Sequence, residues 1–99
     1  MRYKTREGVI LTQICGSYYL VAAKALYGQL PYITEINETA AVCWKRMAAG
    51  ASEEDLCQEL AAEYDIEDPS GMTSDVQGLL AKLKSDGYIE QIGEEGQNP

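Results

Sequence analysis

The chain has no histidine and no phenylalanine. Without histidine, the Ser/His and Cys/His nucleophile pairs and every His-containing zinc set are excluded. Cysteine is scarce. Cys15, Cys43 and Cys57 are too few for a four-cysteine zinc site and too far apart for a CxxC motif. An odd count with no close pair suits a reducing compartment. Long apolar runs are missing too. Tyr18–Ala23 is the most apolar stretch, far short of the ~20 residues that cross a bilayer. Arg2, Lys4 and Arg6 ahead of an apolar run give residues 2–23 the outline of a signal peptide, but Gln13, Gly16 and Ser17 interrupt it. Thr12-Gln13-Ile14 before Cys15 does not form a lipoprotein cleavage box either. The expectation is a cytoplasmic protein without membrane contact.

What remains is a soluble composition. The 99 residues are 45% apolar and 24% charged, which fits one globular domain. A chain of this length buries about two-thirds of its unfolded surface, enough for a core without a metal or staple. Charge is uneven: residues 1–50 carry +3 and residues 51–99 carry −11, for a net −8. A strongly acidic half repels phosphate, so nucleic acid is not the expected partner. Most of the acids read as a solvated face.

Local patterns divide the chain in two. Val9–Ile14 is short and β-branched, and Tyr18–Ala23 is its return strand, with a Gly16-Ser17 hairpin signal between them. Lys24–Pro31 is a loop, and Tyr32–Ile36 a third strand that puts Ile33 and Ile36 on opposite faces. The period then lengthens to that of a helix. Asn37 caps Glu38–Ala49, whose Ala40, Cys43, Trp44 and Met47 share one face. Ser52 caps Glu53–Tyr64, with Glu53, Glu54 and Asp55 in the dipole-favoured first turn. Ser74, with Gln77 at capping-box spacing, opens Asp75–Asp86, and Gly87 stops it. Tyr88–Ile92 is a short extended segment. Residues 1–93 are expected to form the domain and 94–99 a flexible tail. The fold class is α+β: a three-stranded antiparallel sheet followed by three helices, like a winged helix-turn-helix. Trp44, Met47, Leu56, Leu60 and Tyr64 are assigned to its core.

No residue set carries catalysis. The clustered carboxylates are explained by helix capping. Cys43 and Cys57 fall on apolar stripes, and Cys15 has no basic neighbour to make it a thiolate. Metal-ligand spacing, a P-loop and a dinucleotide fingerprint are all missing. A DNA reading of the third helix has only Lys82 and Lys84 and no arginine to read guanine. No cofactor, metal or catalytic residue is expected, which leaves a binding module.

From Asn37 onward the sequence resembles the PqqD-like family. These are small peptide chaperones of pyrroloquinoline quinone synthesis, whose fold is the recognition element for RiPP precursors (ribosomally made, post-translationally modified peptides). The resemblance lies in Ile36-Asn37-Glu38-Thr39-Ala40-Ala41, then Trp44 and Gly50-Ala51-Ser52. It continues through Leu60, Tyr64, Asp75-Val76, Leu79-Leu80, Leu83 and Gly87-Tyr88-Ile89. The Lys24–Pro31 connection is longer than the family's tight turn, and the loop before Asp75 is slightly long. No modifying-enzyme domain is fused, so the expectation is a stand-alone version.

The resemblance implies that a precursor's leader peptide adds as a strand to Tyr32, Ile33, Thr34, Glu35 and Ile36. It would lie against the third helix at Val76, Leu79, Leu80 and Leu83, with Lys84 available to an acidic leader residue. A separate modifying enzyme, often of the radical S-adenosylmethionine class, would receive the peptide. The same exposed edge could pair two copies, and the long loop could act as the hinge of a domain-swapped dimer. The competing reading is an acidic winged-helix adaptor or a transcription-related dimer.

Overall fold

Alternating apolar side chains and a tight turn build the first sheet. Strand β2 (Val9–Ile14) pairs with β3 (Ser17–Ala22), and β3 with β4 (Ile33–Ile36), all antiparallel, in the order β2-β3-β4. The β2–β3 turn is Cys15-Gly16, one residue earlier than the Gly-Ser signal predicts. Ile14 pairs with Ser17, and both turn residues have positive φ, 52° at Cys15 and 85° at Gly16. This is the primed turn geometry that matches strand twist. Cys15 is the non-glycine residue that accepts it.

This structure, a computed structural model, describes residues 1–92. The tail expected at 94–99 lies outside the described residues. A second antiparallel sheet accompanies the expected one: β1 (Arg2–Thr5) lies between β5 (Ala51–Ser52) and β6 (Ile89–Ile92). Arg2 faces both Ser52 and Ile92, and Thr5 faces Ile89. Its strands come from the start, middle and end of the described chain, so no local pattern announces it.

Three α-helices connect these strands: α1 (Glu38–Met47), α2 (Glu53–Glu63) and α3 (Thr73–Asp86). The Asn37 side chain accepts from the Ala40 N–H at 2.8 Å, as its cap position requires. Ser52 and Asp55 form a reciprocal capping box at 3.1 and 2.9 Å. The predicted box at Ser74 does not form. A 3-10 turn, Pro69–Met72, leads straight into α3, and Gln77 instead donates to Glu53 at 2.9 Å. Gly87 ends α3 at φ 89°, its N–H shared between the carbonyls of Leu83 and Lys84.

The core lies between the first sheet and the helices. Leu20, Met47, Leu56 and Leu60 are sealed from solvent, and Trp44 is 5% exposed. Tyr64 is the exception to the predicted core list. It is the C-terminal cap residue of α2, 38% exposed, where Asp65 at φ 56° turns the chain away. Burial pushes the Cys43 thiol up to about 11, with Cys57 and Glu59 adding to it, so it stays a neutral core residue. Among the described residues, no helix is long and apolar enough to cross a membrane.

The second sheet is tied to α1 and α2 at one point by charge. Arg2 and Arg46 both donate to the Gly50 carbonyl, at 2.9 and 3.0 Å. The Asp55 carboxylate faces the same guanidiniums at 3.5 and 3.7 Å. The Ser52 N–H, then the Ser52 side chain and the two arginines, hold the Asp55 carboxyl below the usual carboxylate range. A depressed folded value means that its stabilisation is complete above about pH 4 and is lost as pH falls through the folded value. Thermal unfolding of wild type and Asp55→Asn should therefore differ near neutrality and converge in acid. A constant gap across the pH range would contradict this.

Candidate functional site

β4 is an outer strand of its sheet. Its free side can be assigned atom by atom. The Ala22 N–H donates to the Tyr32 carbonyl at 2.8 Å, and the register continues through Leu20–Thr34 and Tyr18–Ile36. Antiparallel ladders alternate. Tyr32, Thr34 and Ile36 thus direct their backbone groups at β3. Ile33 and Glu35 direct N–H and C=O away from the sheet. Four hydrogen-bonding groups of β4 are open in a row.

Helix α3 runs beside this edge in the opposite sense. At its C-terminal end, the side chain of Tyr88 is fully buried. Its hydroxyl lies 2.9 Å from the Pro31 carbonyl and 2.6 Å from Thr34 Oγ1. A carbonyl only accepts, so the phenol donates to Pro31 and the threonine donates to the phenol. At the other end, Asp75, Val76 and Leu79 face Asn37, Thr39 and Ala40 across a cavity of about 400 Å³, floored by Leu60 and Met72. A cavity of this size accepts an apolar side chain.

The structure separates the residues that the sequence grouped together. Val76, Leu80 and Leu83 are core, at 1%, 3% and 1% exposure. They support the helix rather than line an open wall, although Val76 reaches the cavity with one edge. Leu79 is half-buried and borders it. Lys84 stands on the opposite flank: its Nζ donates to Gln91 of β6 at 2.8 Å, over a hollow shared with Tyr3, Glu53 and Gln77. It is directed at the second sheet, not at β4. The helical repeat puts Asp75, Leu79, Lys82 and Asp86 on the β4 flank, and Lys82 pairs with Asp86 at 3.1 Å. Lys82, three residues after Leu79, is the cation on this flank.

On β4, Ile33 is 47% exposed, whereas Ile36 packs on the core. They do fall on opposite faces. Glu35 is exposed, and Thr34 is half-buried under Tyr88. Tyr32 precedes the strand. It is 54% exposed, and its ring meets Tyr27 edge-on at 5.0 Å. Asp75 lines the cavity, and Glu35 and Glu38 line a neighbouring hollow that also reaches Asn37; none of the three makes an ion pair among the described residues. Among the described residues, no group of three or more His, Cys, Asp or Glu could hold a metal. The arrangement offers backbone pairing, a cavity of mixed polar and apolar lining and a charged flank, which are the elements of strand addition.

The family described as coenzyme PQQ synthesis protein D (PqqD) matches residues 28–89. No curated protein matches the chain. Three solved structures share the fold. One is lasso peptide synthetase B1 complexed with the leader peptide, 22% identical, covering 90% of this chain and 98% of that one, with a TM-score of 0.67. Another is TbiB1 in complex with the TbiA(beta) leader peptide, 16% identical, covering 92% and 99%, with a TM-score of 0.68. The third is the PqqD truncation of Methylobacterium extorquens PqqCD, a functional and stand-alone RiPP recognition element. It is 20% identical, covers 91% and 89%, and has a TM-score of 0.71.

The contrast between neighbouring leucines is testable by denaturant unfolding. Leu80→Glu buries an unpaired charge and should cost about 3–5 kcal/mol. Leu79→Glu, at the cavity rim, should cost roughly 1–2 kcal/mol. Equal losses would contradict the assignment of core and rim. Tyr88→Phe leaves Thr34 and Pro31 without their shared partner and should cost about 1–3 kcal/mol. Unchanged stability would mean that this bond does not hold β4.

Proposed function

The chain belongs to the family of coenzyme PQQ synthesis protein D, and from that premise we propose that it is a RiPP recognition element binding the leader segment of a precursor peptide. The observation that carries this reading is the open row of N–H and C=O groups at Ile33 and Glu35, beside the cavity at Leu79. The leader adds as a further strand to β4. Its backbone pairs with Ile33 and Glu35, which makes affinity tolerant of leader sequence. An apolar leader side chain enters the cavity bounded by Asn37 and Leu79. Asp75 at that end favours a cationic leader residue beside it. Tyr32 and Ile33 cover the other end with apolar surface.

Thr34, Ile36, Val76, Leu80 and Leu83 act from behind, by holding the strand and helix at a fixed separation. Lys84 has no part in the cleft. The protein performs no chemistry itself. It delivers the bound precursor to a separate modifying enzyme, and the family resemblance points to the radical S-adenosylmethionine class. Three free cysteines, one exposed at Cys15, support work in a reducing, cytoplasmic setting. The solved relatives named with leader peptides support the peptide reading by their own ligands.

The test isolates the backbone. Proline is tolerated at an edge when its missing N–H faces outward. Glu35→Pro removes one outward donor and leaves the β3–β4 ladder intact, whereas Glu35→Gln keeps it. With a RiPP precursor leader peptide that the wild type binds as titrant, calorimetry should show an affinity loss of roughly tenfold for Glu35→Pro. Glu35→Gln should bind far closer to wild type. Equal binding by Glu35→Pro and wild type would overturn strand addition at this edge.

A further inference from the structure

A strand added to β4 has two faces. Its inner face meets α3 and the cavity; its outer face continues the solvent side of the first sheet. The register lays side chains on that outer side in rows across the strands. One row is Ile10, Val21 and Ile33, and the next is Thr12, Tyr19 and Glu35. The first row is apolar throughout and ends at the open edge on Ile33, 47% exposed. The second is uncharged until it reaches the edge, where Glu35 is exposed.

Glu35 is the one charged residue in β2, β3 and β4. Its cross-strand neighbour on β3 is Tyr19, which brings no cation. No ion pair among the described residues includes it. The open side of β4 is therefore the side from which a counter-charge can come. The same side is where Ile33 lacks an apolar neighbour to complete its row.

We infer that these two side chains select the leader's sequence on its outer face: the residue opposite Glu35 is lysine or arginine, and the residue two positions away, opposite Ile33, is β-branched or aromatic. The inference rests on strand addition at β4. In that geometry the leader residues opposite Ile33 and Glu35 project on the same face as they do, and the period of a strand sets them two apart. Directly opposed Cβ atoms lie about 5 Å apart, within reach of an ion pair or an apolar contact. Each leader side chain thus becomes the fourth member of an existing row. A leader acid opposite Glu35 would meet a like charge, in a protein already of net charge −8. Asp75 lines the cavity on the inner side. The two acids accordingly address leader residues on opposite faces.

An exposed carboxylate on an edge strand can also serve only as a guard against unwanted pairing. A guard repels acids in general and does not couple to one position of the peptide. This difference decides the test.

The probe is a RiPP precursor leader peptide that the wild type binds, with each residue changed in turn to Lys and to Glu. At one position the wild type should favour Lys over Glu by roughly fivefold, and Glu35→Lys should reverse the preference at that position alone. A preference for Lys that arises from Asp75 should persist in this variant. Two positions away, both charged peptides should bind the wild type more weakly than the parent. There Ile33→Glu should make Lys the better of the two. Both residues are exposed, so the variants should unfold at the wild-type temperature. If the bound peptide protects the Ile33 and Glu35 amides but no position reverses, the inference fails and strand addition stands. Reversal at many positions, or at two positions not spaced by two, overturns it as well. A bound peptide that leaves both amides unprotected overturns strand addition and this inference together.

Discussion

One buried phenol fixes the geometry on which the site depends. Tyr88 follows directly after the glycine that ends α3, and its hydroxyl holds Pro31 and Thr34. The bond carries the end of the third helix to the start of β4. From there α1 begins at Asn37 and returns the chain to the α3 N-terminus. Strand and helix are thereby held at both ends, and a cavity is left between them. The hydroxyl is saturated by one donor and one acceptor, and no buried side-chain polar atom among the described residues lacks a partner. A satisfied buried network specifies position more strongly than apolar packing alone.

Charge and secondary structure are allotted to different parts of the molecule. The first sheet is nearly neutral and presents backbone. The helices carry the acids, chiefly in capping turns and on solvated faces. The basic residues at the start of the chain have structural work: Arg2 joins Arg46, Asp55 and Gly50, and Arg6 donates to Gln29 at 2.6 Å. Such a division suits recognition by backbone pairing, which needs unpaired edge groups and few competing charges. It does not suit phosphate binding, which needs clustered cations.

Legibility in the sequence followed the range of the interactions. The hairpin, the three helices, the Asn37 and Ser52 caps and the Gly87 stop are local features, and their residues announce them. The second sheet was illegible because β1 offers only Tyr3 as an apolar residue and takes its partners from the middle and the end of the described chain. The cap at Ser74 failed because the 3-10 turn at Pro69–Met72 already delivers the chain in helical form. At the site, the β4 edge was readable as the last strand of a meander. The helix face was readable only as a stripe. Periodicity shows which residues share a face, not which flank meets a neighbour. Leu80 and Leu83 therefore entered the candidate wall and proved to be core, while Lys84 was chosen over Lys82. Tyr88 stood in the family pattern, but its two partners are distant in sequence.

The central claim is that peptide is held by the outward backbone of β4. Amide hydrogen exchange, resolved by residue, tests it directly. In the free protein, Thr34 and Ile36 should be protected by the β3 ladder, with Ile33 and Glu35 exchanging freely. With the leader bound, protection should appear at Ile33 and Glu35 and leave the pattern at Thr34 and Ile36 unchanged. A bound leader that leaves Ile33 and Glu35 exchanging as before would contradict the account.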